Sequence, residues 1–220
     1  MIKIQGKLDR ALYVGVSGGV DSMVALDFLR RAHTVCALVF DHGTEYHVEA
    51  EKLIMSYCKE HDISVIRERI SDVGRPKDLS QEEYWRNKRY EFLNCPLRVG
   101  QVVTAHHLDD VMETWIWSSM HGQSKLIPYR NGNVIRPFRL TKKSEIGEWA
   151  VKHNVPYLED MSNYDTGHMR NYIRHKMVHH FLFSNTFRLL HNKHTRSYIF
   201  LDLLHNALLM LSNVVHWRYF

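Results

Sequence analysis

The residues with the clearest chemical potential are Ser17-Gly18-Gly19-Val20-Asp21-Ser22, set between the apolar run Ala11 to Val16 and an amphipathic stretch, Met23 to Arg31. Two adjacent glycines let the backbone approach a ligand closely, and the N–H groups of the turn and of the first helical turn point outward, unpaired and partly positive. Such a turn suits phosphate. Ser17 and Ser22 add hydroxyls. Asp21 tolerates phosphate nearby only if it orients N–H groups or shares a magnesium ion with the phosphate oxygens. The pattern therefore points to a nucleotide with Mg2+, with Asp21 as metal ligand. It is not the Gly-x-x-x-x-Gly-Lys-Ser/Thr loop, whose lysine is absent. Helix capping alone would explain one serine or aspartate but not all six residues.

A second group follows a later apolar run: His106-His107-Leu108-Asp109-Asp110-Val111-Met112-Glu113-Thr114. On a helix starting near Leu108, Asp110 and Glu113 share a face, while Asp109 is rotated by about 100°. Two clustered carboxylates can bind a metal or a substrate ammonium. Asp109 is expected only to complement the dipole of its helix. A histidine here, His106 or His107, can accept a proton near neutral pH or contact phosphate. In Glu83 to Tyr90, Arg86, Arg89 and Tyr90 lie on neighbouring faces of one helix, and Arg86 could neutralise charge on a triphosphate. Arg170 and Arg174, four apart, suit two phosphates or a substrate and an internal acid such as Asp160.

The elements that must position these groups alternate. Strands are predicted at Ala11 to Val16, Val35 to Phe40, Ser64 to Ile70 and Gln101 to Ala105, with a further one at Val134 to Pro137. Helices are predicted from Met23, over Tyr46 to His61, over Gln81 to Leu93, from Leu108, and over Lys142 to Lys152. Tyr129 to Asn133 and Gly74 to Lys77 look like exposed loops. Alternation of this kind implies an α/β fold, a doubly wound, mostly parallel sheet. Asp41-His42-Gly43 ends the second strand, so polar residues follow strands one, two and four, where open sheets place ligands. From about Arg170 the chain reads as a small helical tail. The expected division is a domain over residues 1–165 and a helical region over 166–220 that could contact RNA.

Composition narrows the function classes. Of 220 residues, 45% are hydrophobic, enough for a real core. No run of about 18 apolar residues exists, so no membrane partner is expected. Three dispersed cysteines, never as Cys-x-x-Cys, exclude a disulfide framework and a thiolate metal site, and a reducing, cytoplasmic compartment is expected. Residues 1–124 carry 15 Lys and Arg against 18 Asp and Glu; residues 125–220 carry 14 against 6. The second half is the candidate polyanion face. Oligomeric state leaves no signature.

Taken in order, these motifs resemble the N-type PP-loop ATP pyrophosphatases and, among them, the tRNA(Ile)-lysidine synthetases. The likeness runs from Leu12 to about His175 and includes Ser17 to Ser22, Asp41-His42-Gly43 with Glu49-Ala50, Arg86-x-x-Arg89-Tyr90, Ala105 to Asp110 with Glu113-Thr114, Arg136-Pro137, Glu159-Asp160-x-Ser162-Asn163 and Arg170-Asn171-x-Ile173-Arg174. The resemblance implies an ATP-dependent ligase that adenylates the wobble cytidine of an isoleucine tRNA, releases pyrophosphate, and lets free L-lysine displace AMP. It implies further that Ser17, Gly18, Gly19, Val20, Asp21, Ser22, Asp41 and His42 hold ATP, that Asp21 serves magnesium and catalysis, and that Arg86 and His106 assist adenylation. Asp110 and Glu113 would bind lysine, with Arg170 and Arg174 on the substrate. Thr44-Glu45 replaces a usual leucine and arginine, and Ser124 a usual glycine. Many relatives continue into carboxyl-terminal tRNA-binding domains, and this chain is expected to be a short form. The alternatives are another PP-loop enzyme acting on a different RNA or small molecule, and a non-catalytic nucleotide- or RNA-binding module.

Overall fold

The computed structural model describes residues 1–41, 43, 45–70, 75–159 and 172–174. Eleven elements are defined in chain order: β1 Ala11–Val16, α1 Val20–Arg30, β2 Thr34–Asp41, α2 Glu45–Glu60, β3 Ser64–Arg69, α3 Gln81–Leu93, β4 Gln101–Val103, α4 Leu108–Met120, β5 Arg130–Asn131, β6 Val134–Ile135 and α5 Lys143–Lys152. All lie in one compact unit, Met1–Thr166. The helical region expected over residues 166–220 lies outside the described residues apart from Tyr172 to Arg174, and so does Gly74 of the expected Gly74 to Lys77 loop. No described helix is long and apolar enough to cross a membrane.

The sheet order is β3-β2-β1-β4-β6-β5, parallel throughout except for the β5–β6 pair. Apolar residues run almost unbroken along β1 and β2 because both sheet faces are covered, as parallel sheets require. Val14, Val16, Ala37, Val39, Val103 and Ile135 face one core with Met23, Leu26 and Leu29 of α1, Ile54 of α2 and Ile146 of α5. Their sequence neighbours Leu38, Phe40, Val102 and Val134 face the other with Phe92 and Leu93 of α3. Burying each such Leu, Ile, Val or Phe side chain stabilises the fold by about 1.5–3 kcal/mol.

Strand order reverses between β1 and β4. β1 is followed outward by β2 and β3 on one side, whereas β4 and β6 lie on the other. A crevice must open where the two successions of loops part, outside the carboxyl ends of β1 and β4.

Two expectations differ in detail. Tyr129 to Asn133 is not a plain loop: Arg130 and Asn131 pair with Ile135 and Val134 across the two-residue turn Gly132-Asn133, with Gly132 at φ +63°. A Gly-Asn pair between short extended segments is a hairpin signal. β4 ends at Val103 rather than Ala105: its pairing with β1 stops at Val14 and its pairing with the short β6 at Ile135.

Candidate active site

The cleft predicted by topology is present, with a volume of about 260 Å³. Gly15, Val16, Ser17, Gly19, Asp21 and Ser22 form one wall; Thr104, Ala105, His106 and Asp110 form the opposite one. Leu38, Phe40 and Leu93 supply an apolar floor, with Arg89 and Tyr90 of α3 beside it.

The first wall is a closed loop. Ser22 Oγ accepts from the Ser17 N–H at 3.0 Å and donates to the Gly19 carbonyl at 3.0 Å, with Ser17 Oγ 3.2 Å away. Ser22 thus uses its hydroxyl inside the loop rather than as a free donor. The Gly18 carbonyl accepts the Leu158 N–H at 2.9 Å. Gly18 has φ +84°, and a Cβ there would lie 2.7 Å from the Ala50 Cβ of α2. Both conformation and close packing demand glycine. Gly19 differs: a Cβ would meet nothing nearer than Ser17 Oγ at 3.8 Å. The fold does not require glycine at 19, so its bareness leaves backbone N–H groups open to a ligand. Gly18→Ala is expected to cost about 1–2 kcal/mol for the left-handed backbone and to displace α2 from the loop. Calorimetry should then show ATP binding weakened by about tenfold or more, roughly 1.4 kcal/mol; unchanged affinity would count against this loop as the phosphate site.

The second wall sets two adjacent histidines in opposite electrostatic situations. His106 faces the cleft, with Nδ1 3.0 Å from Thr104 Oγ1. Burial, reinforced by Arg136, Arg89 and His107 against the pull of Asp110, pushes its pKa down to about 4. It is a neutral imidazole at physiological pH. His107 is buried and caps α4. Its Nε2 lies 3.5 Å from both Asp21 Oδ1 and Asp110 Oδ2. Burial opposes its charge, but the carboxylates of Asp110 and Asp21 outweigh burial and raise its pKa above the ordinary imidazole value. Environments that drive two titratable neighbours apart are characteristic of acid–base sites.

The acids of α4 divide their work differently from the expectation. Asp110 Oδ2 accepts the His107 N–H at 2.9 Å, capping α4 itself. Asp109 Oδ1 accepts the Lys143 N–H at 2.9 Å, so it serves the first turn of another helix, α5. The Leu108 N–H donates to the Thr141 carbonyl at 2.8 Å. Two helix N-termini are therefore fastened side by side, and Lys143 Nζ reaches across to Asp21 Oδ1 at 2.5 Å. Burial alone would raise the Asp21 pKa, but His107 and Lys143 reverse this and hold the carboxyl far below its usual range.

Among the described residues no group of three His, Cys, Asp or Glu side chains forms a metal cage. Magnesium needs none, because it binds through one or two carboxylates with substrate phosphates and water. Asp21 fits that role: it is ionised, lines the cleft, and makes its described contacts through Oδ1.

Other predicted residues fall outside the cleft lining. Arg86 is exposed, its guanidinium 5.3 Å from the Tyr90 ring centre, while Arg89 one turn on reaches the cleft. Glu113 is buried one turn below Asp110. Asp41 caps the turn by accepting the Gly43 N–H at 2.6 Å and pairs with Arg69 at 3.4 Å. Gly18 and Val20 shape the loop from behind. His42 and Arg170 lie outside the described residues; Arg174 is described in a separate unit.

Sequence reasoning missed Lys143 altogether, and saw Arg136 only as part of a motif. Arg136 is 3% exposed, donates to Tyr90 Oη at 2.9 Å and the Pro128 carbonyl at 2.8 Å, and its Nε finds no partner among the described residues. A signal existed for Lys143: Lys142 and Lys143 open a helix at the end where cations are disfavoured.

Residues 2–181 match the family described as PP-loop domain. A tRNA(Ile)-lysidine synthase of Thermosipho africanus is 34% identical over 193 residues, covering 77% of this chain and 43% of that protein. The enzyme of the same name from Thermotoga maritima is 34% identical over 180 residues, covering 75% and 44%, and one from Staphylococcus epidermidis 32% over 197, covering 80% and 45%. The chain thus spans less than half the length of these curated relatives. Among solved structures, a U34-tRNA thiolase from Methanococcus maripaludis superimposes with a TM-score of 0.58 at 16% identity, over 80% of this chain and 73% of that one. An NH3-dependent NAD synthetase from Campylobacter jejuni gives 0.51 at 16% identity, over 67% and 66%. At such identities the likeness concerns the fold. The sheet order and the glycine turn at its switch point agree with the match across residues 2–181, and the chain belongs to the PP-loop domain family.

Proposed function

We propose that this chain carries the catalytic domain of an ATP-dependent tRNA(Ile)-lysidine synthetase. Support comes from one observation above all: a phosphate-type glycine turn and the Asp110 carboxylate face each other across a single cleft. The relatives of similar sequence bear that enzyme's name.

In this proposal the open backbone at Gly19 and the start of α1 hold the β- and γ-phosphates of ATP. Bound magnesium would neutralise charge on the phosphate oxygens, with Asp21 as its protein ligand. The wobble cytidine's C2 oxygen attacks the α-phosphorus as the bond to the bridging oxygen breaks, and pyrophosphate leaves with that electron pair. The lysine amine then attacks C2, loses a proton, and expels AMP. Arg86 and Arg89 stabilise charge on the transferring group. Neutral His106 accepts a hydrogen bond or proton at the reacting oxygen or amine. Asp110 and Glu113 recognise the lysine ammonium, and positioning supplies much of the acceleration. Arg170 and Arg174, in the basic second half, contact tRNA phosphate.

The test is incubation of the purified chain with ATP, Mg2+, labelled lysine and unmodified isoleucine tRNA. Label should appear in the RNA with stoichiometric pyrophosphate. Pyrophosphate release with another acceptor, but no lysine transfer, would retain adenylation and overturn the lysidine assignment. Glu113→Gln is expected to raise the KM for lysine by about tenfold, the scale of one charge-assisted contact, with a much smaller effect on the KM for ATP. Equal effects on both would remove Glu113 from the lysine site.

A further inference from the structure

Lys143 touches the proposed nucleotide machinery without appearing in any of the sequence motifs that suggested it. Its position is constructed from two directions. Its backbone is fixed by Asp109, and its ammonium is directed at the Asp21 Oδ1 atom 122 residues away in sequence. Lysine at the first position of a helix works against the helix dipole, so local propensity does not explain it. Nor does stability, since a partly exposed ion pair contributes about 0–1 kcal/mol, and this one has side chains 44% and 34% exposed.

The charges show what the residue can do. Asp21, Asp109 and Asp110 cluster around His107 and Lys143. An ammonium and a divalent cation repel strongly if both occupy Asp21 Oδ1. Lysine, a compact charge on a flexible four-carbon stem, can vacate that oxygen while its Cα stays fixed. The nearest new anions would then be the phosphates held by the adjoining glycine turn.

We infer that Lys143 is an exchangeable counter-ion of the nucleotide site: it pairs with Asp21 when no cation is bound, and transfers to phosphate when a metal-bearing nucleotide enters. This rests on the nucleotide reading of the cleft and assigns Lys143 as a phosphate-binding residue with a second duty toward Asp21.

The inference predicts opposite effects on two probes, neither of which requires turnover. In Lys143→Met, Mn2+ alone, followed by electron paramagnetic resonance, should bind about three- to tenfold more tightly because its competitor at Asp21 is gone. ATP in the presence of EDTA, followed by calorimetry, should bind about tenfold more weakly because Asp21, left without its counter-ion, repels the phosphates. Lys143→Arg should restore ATP affinity without metal. The melting temperature of both variants should stay near that of wild type. If Mn2+ and ATP affinities are both unchanged, or both weakened together, Lys143 has no such role. Failure of the wild-type protein to bind ATP, with or without Mg2+, would overturn the nucleotide reading and this inference together. ATP binding by wild type with Lys143→Met indistinguishable from it would overturn this inference alone.

Discussion

Asp21→Asn is expected to lower ATP-dependent pyrophosphate release by about 10²–10³-fold, the scale seen when a preorganised electrostatic group is removed. The substitution keeps the side chain's size but removes the only carboxylate that the described residues place on the glycine-turn wall of the cleft. Three effects combine. A magnesium ion bound there would lose its protein ligand, Lys143 loses its partner, and His107 keeps its contacts with the acids of α4. The fold should survive, because the Asp21 side chain is one-third exposed and joins neither hydrophobic cluster. The check is pyrophosphate release at saturating ATP, with circular dichroism as a folding control. Wild-type activity in Asp21→Asn would remove the proposed site.

Asp27→Ala, six residues further along α1, should do the reverse and destabilise the protein while altering no residue of the cleft. Asp27 is 1% exposed. Its Oδ1 accepts from Tyr57 Oη at 2.7 Å and Arg30 Nη2 at 2.7 Å; its Oδ2 accepts from Trp149 Nε1 at 2.8 Å and Arg31 Nε at 3.1 Å. One carboxylate thereby joins α1, α2 and α5. Alanine leaves the half-buried Arg30 and two aromatic donors without their acceptor, which costs about 3–5 kcal/mol. The corresponding fall in melting temperature is on the order of 10 °C. The sign of the pH dependence is fixed by the same contacts. Burial alone would raise the Asp27 pKa, but bonds from Tyr57, Trp149 and Arg31 and the charge of Arg30 lower it from 3.8 to about 2. Its stabilisation is therefore complete above pH 4 and lost as the pH falls toward 2. The gap in melting temperature between wild type and Asp27→Ala should narrow across that interval; a gap that stays constant would show that the bonds, not the charge, carry the effect.

What could be read from sequence is what local periodicity and turn chemistry encode. The run Ala11 to Val16, the glycine pair and the apolar face from Met23 specify strand, turn and helix without reference to any other part of the chain. The continuous apolar run in β2 identified a sheet covered on both faces, and residues alternate between two cores as that demands. The candidate site was legible where one loop carries it, at Ser17 to Ser22, and illegible where it depends on a distant element. Nothing in the spacing of Asp109 and Asp110 tells which one caps its own helix and which serves α5, because that depends on a tertiary contact. Asp27 was invisible for a related reason: its partners Tyr57 and Trp149 lie on other helices. The Gly132-Asn133 hairpin was legible in principle, and its strands were too short for alternation to reveal them.

The reversal of strand order at β1 also fixes when the cleft can come into existence. β2 pairs with β1 after a single helical crossover, but bringing Gln101 to Leu12 must close a loop holding α1, β2, α2, β3 and α3. Loop-closure entropy makes such non-local pairing slow relative to local crossovers. The two walls of the cleft meet only through that late pairing. A nascent or partly folded chain can therefore carry a complete glycine turn and still lack the opposite wall, so ATP affinity becomes a measure of whether the half-sheets have joined.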